Sequence, residues 1–308
     1  MRWFETPNIN FVGNRRIAYV VSGILFLSSL GIIITKGLQY GIDFRGGKEF
    51  VYNFEEPVNT VEIRDFLAEP LGSAPEIKLF GSDSEILIRT DNESSTEEVK
   101  AIIEGSFESN LAGNQFSNQK SDTVGPRFAE DLKSAAAQSV IYAIVIIFIY
   151  MLIRFRNWTF SAGAVAALVH DVTITLGIFT LLSDTVPFSL LIDQNIIAAF
   201  LTIVGYSLND TVVVFDRIRE YLGLYPKRDR EEVVNRALNS TMRRTFSTSL
   251  STMVVLLAIF IFGGTSIQGF TFALLVGVLV GTYSSLFIAS PIAYDTSLRV
   301  QKAVAKRK

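Results

Sequence analysis

Gly205-Tyr206-Ser207-Leu208-Asn209-Asp210-Thr211-Val212-Val213-Val214-Phe215-Asp216-Arg217 is the stretch that decides the fold. It completes an apolar run over residues 190–214, and a bilayer crossing needs roughly 20 such residues. A carboxylate inside that run has no water to solvate it, so a chain that keeps one generally uses it to carry, gate or bind an ion. With Arg217 marking the membrane surface, Asp210 lies about 10 Å inward at 1.5 Å per residue. That is too deep for a short side chain to snorkel to bulk water. A second acid, Asp171, follows the single histidine, His170, inside another apolar run. The pair lies about 20 Å along a regular helix from Trp158, past the middle of the bilayer.

Working outward, residues 17–34, 134–153, 160–182, 246–262 and 270–293 complete a set of six spans. The whole-chain figures of 49% hydrophobic and 19% charged therefore average two unlike kinds of segment. The absence of cysteine excludes disulfides and thiolate chemistry. Residues 17–34 are span-length with no small-residue cleavage pattern close behind, which argues against a signal peptide.

Lysine and arginine placement sets the orientation. Arg2, Arg15 and Arg16 precede the first span, Arg154 and Arg156 follow the second, and Arg217, Arg219, Arg228, Arg236, Arg243 and Arg244 crowd the segment after the fourth. Arg299, Lys302, Lys306, Arg307 and Lys308 end the chain, while the turns after spans three and five carry no such residue. Both termini are thus expected in the cytoplasm. The expected organisation is residues 1–35 for the N-terminus and first span, 36–133 for an external domain, 134–298 for the other spans with a cytoplasmic loop at 215–245, and a basic tail at 299–308. The external block holds 19 acids against 10 bases, so the net charge of −2 misrepresents both halves.

That block reads strand–helix–strand–strand–helix–strand. Strands are expected at 48–54, 76–80, 85–90 and 115–124, with the middle two joined through Gly81-Ser82-Asp83. One helix covers 58–67 with Asn59-Thr60 as its cap. Another starts at Ser94-Ser95-Thr96-Glu97 and sets Val99, Ile102, Ile103 and Phe107 on one face. The order suits a ferredoxin-like α+β sandwich. The block shows no metal cluster, nucleophile–base pair or phosphate loop, so it reads as a binding or moving part. The fold class is then a membrane α-helical bundle of six helices with one α+β extracytoplasmic domain between helices one and two.

Arg244, Thr248, Ser251 and Thr252 recur at helical spacing in span five. Arg244 is expected at the mouth of a hydrated groove, within reach of Asp210 as a protonation-dependent partner. The plainer alternatives are a structural acid at Asp210, a surface anchor at Arg244 and interhelical hydroxyl glue. His170 and Asp171 suit either a proton relay or a buried polar knot. Gly277 and Gly281, extended by Ser285, point to close packing of span six.

Several motifs together resemble one family. They are Tyr40-Gly41-Ile42-Asp43-Phe44-Arg45-Gly46-Gly47, Val124-Gly125-Pro126-Arg127-Phe128, His170-Asp171, the Gly205–Thr211 run with Asp216-Arg217-Ile218-Arg219-Glu220, and Arg243-Arg244-Thr245. Their order and spacing are similar to those of the SecF family of protein-export membrane proteins, within the resistance-nodulation-division superfamily. The resemblance implies a bacterial cytoplasmic-membrane protein that pairs with SecD. It implies service to the SecYEG channel and the SecA motor late in export, with YajC and YidC as further partners. Proton-motive force would move the external domain against an unfolded translocating polypeptide. By the same resemblance Asp210 and Arg244 conduct protons, and sodium is the other coupling ion; the residues themselves add His170, Asp171, Asn209 and Thr248 as secondary polar candidates.

No cofactor, metal or nucleic acid is implied; the remaining partners are membrane lipids. Two other classes compete. An efflux-transporter half of the same superfamily carries larger paired external insertions, whereas only the first external loop is large here. An intramembrane aspartyl protease needs two facing acids, with a Gly-x-Gly-Asp context that Leu208-Asn209-Asp210 lacks.

Overall fold

Each of the six apolar runs forms a long helix in the computed structural model, which describes residues 8–186 and 188–305. Arg2 and the tail residues Lys306, Arg307 and Lys308 lie outside the described residues. The spanning helices are α1 (Arg15–Lys36), α5 (Pro126–Phe155), α6 (Trp158–Leu182), α7 (Gln194–Leu224), α8 (Arg230–Phe262) and a final rod. The rod joins α9 (Thr265–Ser284) to α10 (Ser290–Ala305) through one π-helical turn, Ser285–Ala289. Length and apolarity make this a multi-pass membrane protein. Three of these helices, α6, α7 and α8, start where short polar side chains satisfy free backbone N–H groups. Asn157 accepts from Thr159, Asp193 from Ile196 and Asp229 from Glu232.

α6, α7 and the final rod form the centre, whereas α5 leaves most of its surface uncovered. Glycines let α9 approach α7 closely: a Cβ on Gly277 would run into Ile203, and one on Gly281 would stand 3.0 Å from Ser207 Cβ. The expected small-residue pair in span six is therefore a packing seam.

Between α1 and α5 lie a short helix α2 (Ile42–Arg45), β1 (Gly47–Phe54), α3 (Thr60–Leu71), β2 (Glu76–Leu79), β3 (Glu85–Thr90), α4 (Thr96–Asn110) and β4 (Phe116–Val124). All pairings are antiparallel in the order β2-β3-β1-β4, with Phe50 opposite Ile88 on one side of β1 and Ser121 on the other. Alternation sends Phe50, Tyr52, Phe54, Ile86 and Ile88 to one face, where α3 and α4 cover them with Ile63, Leu67, Val99, Ile103 and Phe107. Asn59 caps α3, and Ser95 with Glu98 forms a capping box on α4. Gly46 and Gly47 hold φ of 78° and 111°, and a Cβ on Gly47 would sit 2.9 Å from Thr90 O. Only glycine meets both demands at the entrance to the sheet.

The open sheet face carries Glu49, Arg89 and Lys120 and looks across a cavity of about 400 Å³ toward the 189–196 segment and the start of α9. The junction is held by backbone bonds, Gly41 N–H to Ile192 O at 2.9 Å and Ile192 N–H to Gln39 O at 2.7 Å. Asp184 adds an ion pair to Lys36 at 2.9 Å.

Three boundaries differ from expectation. The fourth span begins at Gln194, not at 190, because Ile192 is drawn into extended pairing with the segment after α1. The domain expected to end at 133 gives way to α5 at Pro126, since proline at the first turn starts a helix well before the membrane. The expected loop at 215–245 is helical except around 225–229. Its amphipathic part buries Val233, Val234, Ala237 and Leu238 beneath Phe11 and Val12, and Asn235 Oδ1 accepts from Val12 N at 2.9 Å.

Candidate functional site: two buried carboxylates in the helix bundle

Asp210 faces inward from α7 and is 8% exposed. Its Oδ1 accepts from Thr245 Oγ1 of α8 and its Oδ2 from Ser285 Oγ of the π turn, both at 3.0 Å. A spanning carboxylate is thus held by neutral hydroxyls from two other helices. Ser285 has an alternative acceptor, Thr282 O, also at 3.0 Å. A hydroxyl has one proton, so the Ser285 bond to Asp210 can be exchanged without moving backbone.

Asp171 is buried deeper, at 1% exposed. Its Oδ2 accepts from Ser207 of α7 and Ser284 of α9, both at 2.7 Å, and its Oδ1 lies 2.9 Å from His170 Nδ1. The other ring nitrogen of His170 is buried without a partner among the described residues. Adjacent serines, Ser284 and Ser285, therefore each hold one carboxylate. Ser207 lies one turn before Asp210, so the two acids are offset by roughly 5 Å along α7. The π turn sits where the two acid contacts meet, and such turns recur at functional sites. Ser290 Oγ donates to Ser285 O at 2.8 Å across the π turn.

A second polar seam runs alongside. Thr282 Oγ1 is 2.7 Å from Ser249 Oγ, and Tyr206 Oη approaches Ser249 and Thr252 at 3.5 and 3.4 Å. Together these groups thread hydroxyls between α7, α8 and α9 without breaking any helix.

The expected Asp210–Arg244 ion pair is not formed. One residue along a helix is a turn of about 100°, and that rotation gives the inward position to Thr245 while Arg244 is exposed. Thr248 and Ser251 face outward with it, each hydroxyl bonded back to the carbonyl four residues earlier. The buried stripe of α8 is instead Thr245, Ser249 and Leu256. Asn209 is likewise exposed, on the α7 face that also exposes Thr202 and Gly205. Ser207, Thr245, Ser284 and Ser285 escape a reading that looks for charges. Their signal is consecutive hydroxyls in an otherwise apolar span, and a serine one turn from an intramembrane acid.

Six membrane-spanning helices closing over paired carboxylates, with one sheet domain between the first two, define a multi-pass transport-type membrane protein. The family model for the C-terminal region of the protein export membrane proteins SecD and SecF matches residues 105–299. The SecD/SecF GG motif matches residues 31–58, which include Gly46 and Gly47. The protein translocase subunit SecF of Rhodothermus marinus is 50% identical over 307 residues, covering 100% of this chain and 98% of that protein. The subunit of the same name from Haemophilus influenzae is 38% identical over 95% of this chain and 87% of its own length. The crystal structure of SecDF, a translocon-associated membrane protein from Thermus thermophilus, superposes with a TM-score of 0.83 at 35% identity over 94% of this chain. SecDF in its super-membrane-facing form matches with a TM-score of 0.70 at 34% identity over 98% of this chain. This chain spans 39% of the first SecDF chain and 40% of the second. The chain belongs to the SecD/SecF family of protein export membrane proteins and is of the SecF type.

Proposed function

We propose that this chain is the ion-coupled half-motor of a protein-export complex, with Asp210 as the group that takes up and releases the ion. The observation that carries the reading is Asp210 itself: a carboxylate in a spanning helix, held by the exchangeable hydroxyls of Thr245 and Ser285. Uptake of a proton removes the charge those donors serve and frees α8 and the π turn to move. Arg244 acts at the exposed mouth of the same helix seam, meeting the carboxylate in a different arrangement of α7 and α8. Asp171, with His170, is the second acid of the relay, and Asn209 and Thr248 belong to the face completed by a partner.

The partner is the SecD half. Polar side chains on exposed bilayer-facing helix surfaces are costly without partners, and α7 exposes Asn209 while α8 exposes Arg244 and Thr248. The SecDF chains of similar structure are more than twice as long as this one, which leaves room for such a half. SecYEG, SecA, YajC, YidC and the emerging polypeptide follow from the same family reading.

The sheet domain is ferredoxin-like by its strand order and extracytoplasmic in the bacterial inner membrane. Supporting that placement, Arg15 pairs with Asp295 at 3.0 Å and Arg154 with Asp216 at 2.6 Å. These basic groups therefore gather at the bundle end away from the sheet, where the positive-inside tendency puts the cytoplasm. Asp184, after α6, pairs with Lys36 of α1 and with Lys78 of β2, and the backbone clamp at Gly41–Ile192 joins the start of the domain to the segment before α7. Helix shifts around Asp210 thereby reach the domain.

One charge crossing 100 mV releases about 2.3 kcal/mol, while driving a two-state element from one extreme to the other takes about 5.5 kcal/mol. Two or three charges per stroke, or a contribution from a pH gradient, close the gap. The test is export through reconstituted complex under an imposed proton or sodium gradient. Asp210→Asn abolishes the gradient-dependent component if the reading holds. Full gradient-dependent export by that variant rejects it.

A further inference from the structure

A groove of about 300 Å³ opens between α5 and the α6–α7 pair at the sheet-domain end of the bundle. Its walls are the apolar faces of bilayer-spanning helices, with Val140 and Ile144 from α5, Leu168 and Val172 from α6, and Leu201 and Val204 from α7. Ala136, Ala137 and Ala143 leave the space open, because small side chains line the α5 face where larger ones would fill it. One charged residue lines it, Lys133, at the rim. Its ammonium sits 4.3 Å from the centroid of the Tyr40 ring and makes no ion pair among the described residues.

The dimensions choose an occupant. From Lys133 to Ile144 the α5 face runs roughly 16 Å, about half of the roughly 30 Å hydrocarbon core and so the depth of one leaflet. A hydrocarbon slot one leaflet deep, with an unpaired cation at its interfacial end, complements an acyl chain beneath an anionic head group. A partner helix would need to satisfy a longer surface and would leave Lys133 without a counter-charge. We propose that this groove is a binding site for one anionic glycerophospholipid, its phosphate on Lys133 and one acyl chain between α5 and the α6–α7 pair.

The position gives the lipid leverage. Leu168 and Val172 flank Asp171 on α6, and Leu201 and Val204 lead along α7 toward Ser207 and Asp210. Tyr40, beside Lys133 at the same rim, and Phe44 belong to the segment that joins α1 to the sheet. An acyl chain there touches the backs of both acid-bearing helices and the domain linkage together.

The test uses the full chain in phosphatidylcholine vesicles, with Trp3→Phe and Trp158→Phe to silence the native tryptophans and Tyr40→Trp as reporter at the rim. Brominated phosphatidylglycerol and brominated phosphatidylcholine are titrated as quenchers. The proposal predicts about a fivefold preference for the anionic lipid, what one basic side chain at a membrane surface contributes. It predicts that Lys133→Gln, a surface change that leaves the helix intact, brings the preference to about one. Ala137→Phe should reduce quenching by both lipids. Equal quenching in the parent protein, a preference that survives Lys133→Gln, or a rim reporter that neither lipid quenches would overturn the proposal.

Discussion

Removing the Ser285 hydroxyl should disable ion coupling while leaving the fold in place. Ser285 Oγ and Thr245 Oγ1 each donate to Asp210 at 3.0 Å, and both side chains are fully buried. A hydrogen bond to a charged group contributes about 1.5–3 kcal/mol, and about 1.4 kcal/mol is a tenfold change in an equilibrium. Ser285→Ala therefore biases the charged arrangement by at least the energy of about half a charge crossing 100 mV. Gradient-dependent export should fall tenfold or more, with Ser285→Thr retaining most of it because the donor survives. Thr245→Val should do the same and Thr245→Ser should not. The assay is export through vesicles carrying the complex, at fixed ATP, with and without an imposed gradient. Because Asp210→Asn abolishes coupled export outright, a double-mutant cycle read as Tm in detergent isolates the cause. In an Asp210→Asn background the donors no longer serve a carboxylate, so Ser285→Ala should cost nothing further. Wild-type coupling in Ser285→Ala, or an undiminished extra loss on top of Asp210→Asn, would refute the reasoning.

Other parts of the molecule give sharp expectations. Gly277→Val drives a branched side chain into Ile203 and should lose about 1–3 kcal/mol, read as a lower Tm in detergent. Gly223→Ala meets no atom within 4 Å and should be neutral or stabilising by about 0.5–1 kcal/mol. Phe107 is fully buried with ring centroids of Tyr52, Phe54 and Phe116 at 5.1–5.2 Å. Phe107→Ala should cost the sheet domain about 3–5 kcal/mol, seen as faster hydrogen exchange in β1 and β3 with the spanning helices unaffected. Burial first, and then the carboxylates of Asp43 and Glu49, push Asp193 above the usual carboxylate range, against the cap bond from Ile196 and the pull of Lys120. The folded state then holds that proton more tightly than the unfolded chain. Stability at the α7 cap is fullest below about pH 4 and declines as pH rises through the elevated pKa. Asp193→Asn keeps a competent cap and should flatten this dependence, raising Tm at neutral pH but not under acid conditions.

Local signals with a single physical cause were legible in the chain before any coordinates. Six apolar runs of bilayer length became six helices, Asn59 capped α3 where expected, the helix expected to start at Ser94-Ser95-Thr96-Glu97 began there, and the strand expected at 48–54 formed as β1. Asp210 and Asp171 announced themselves because charge inside an apolar run is expensive. What was illegible depended on rotation and on long-range partners. The inward place of Thr245 instead of Arg244 follows from the packing angle of α8 on α7 and α9, which no local pattern encodes. The π turn shifts register at Ser285, where the sequence shows only the adjacent hydroxyls of Ser284 and Ser285, and these do not encode a wider turn. The helical extension of α8 was hidden for another reason: its polar composition imitates a loop until the N-terminal segment covers Val233, Val234, Ala237 and Leu238.

The most direct check on the central claim is proton uptake itself, followed with a trapped pH indicator inside vesicles that hold this chain with its SecD-type partner, during export driven by an imposed gradient. Inward flux that rises with export, and disappears in Asp210→Asn while Asp210→Glu retains part of it, is the result this account predicts. Export-linked flux that persists undiminished in Asp210→Asn would contradict it.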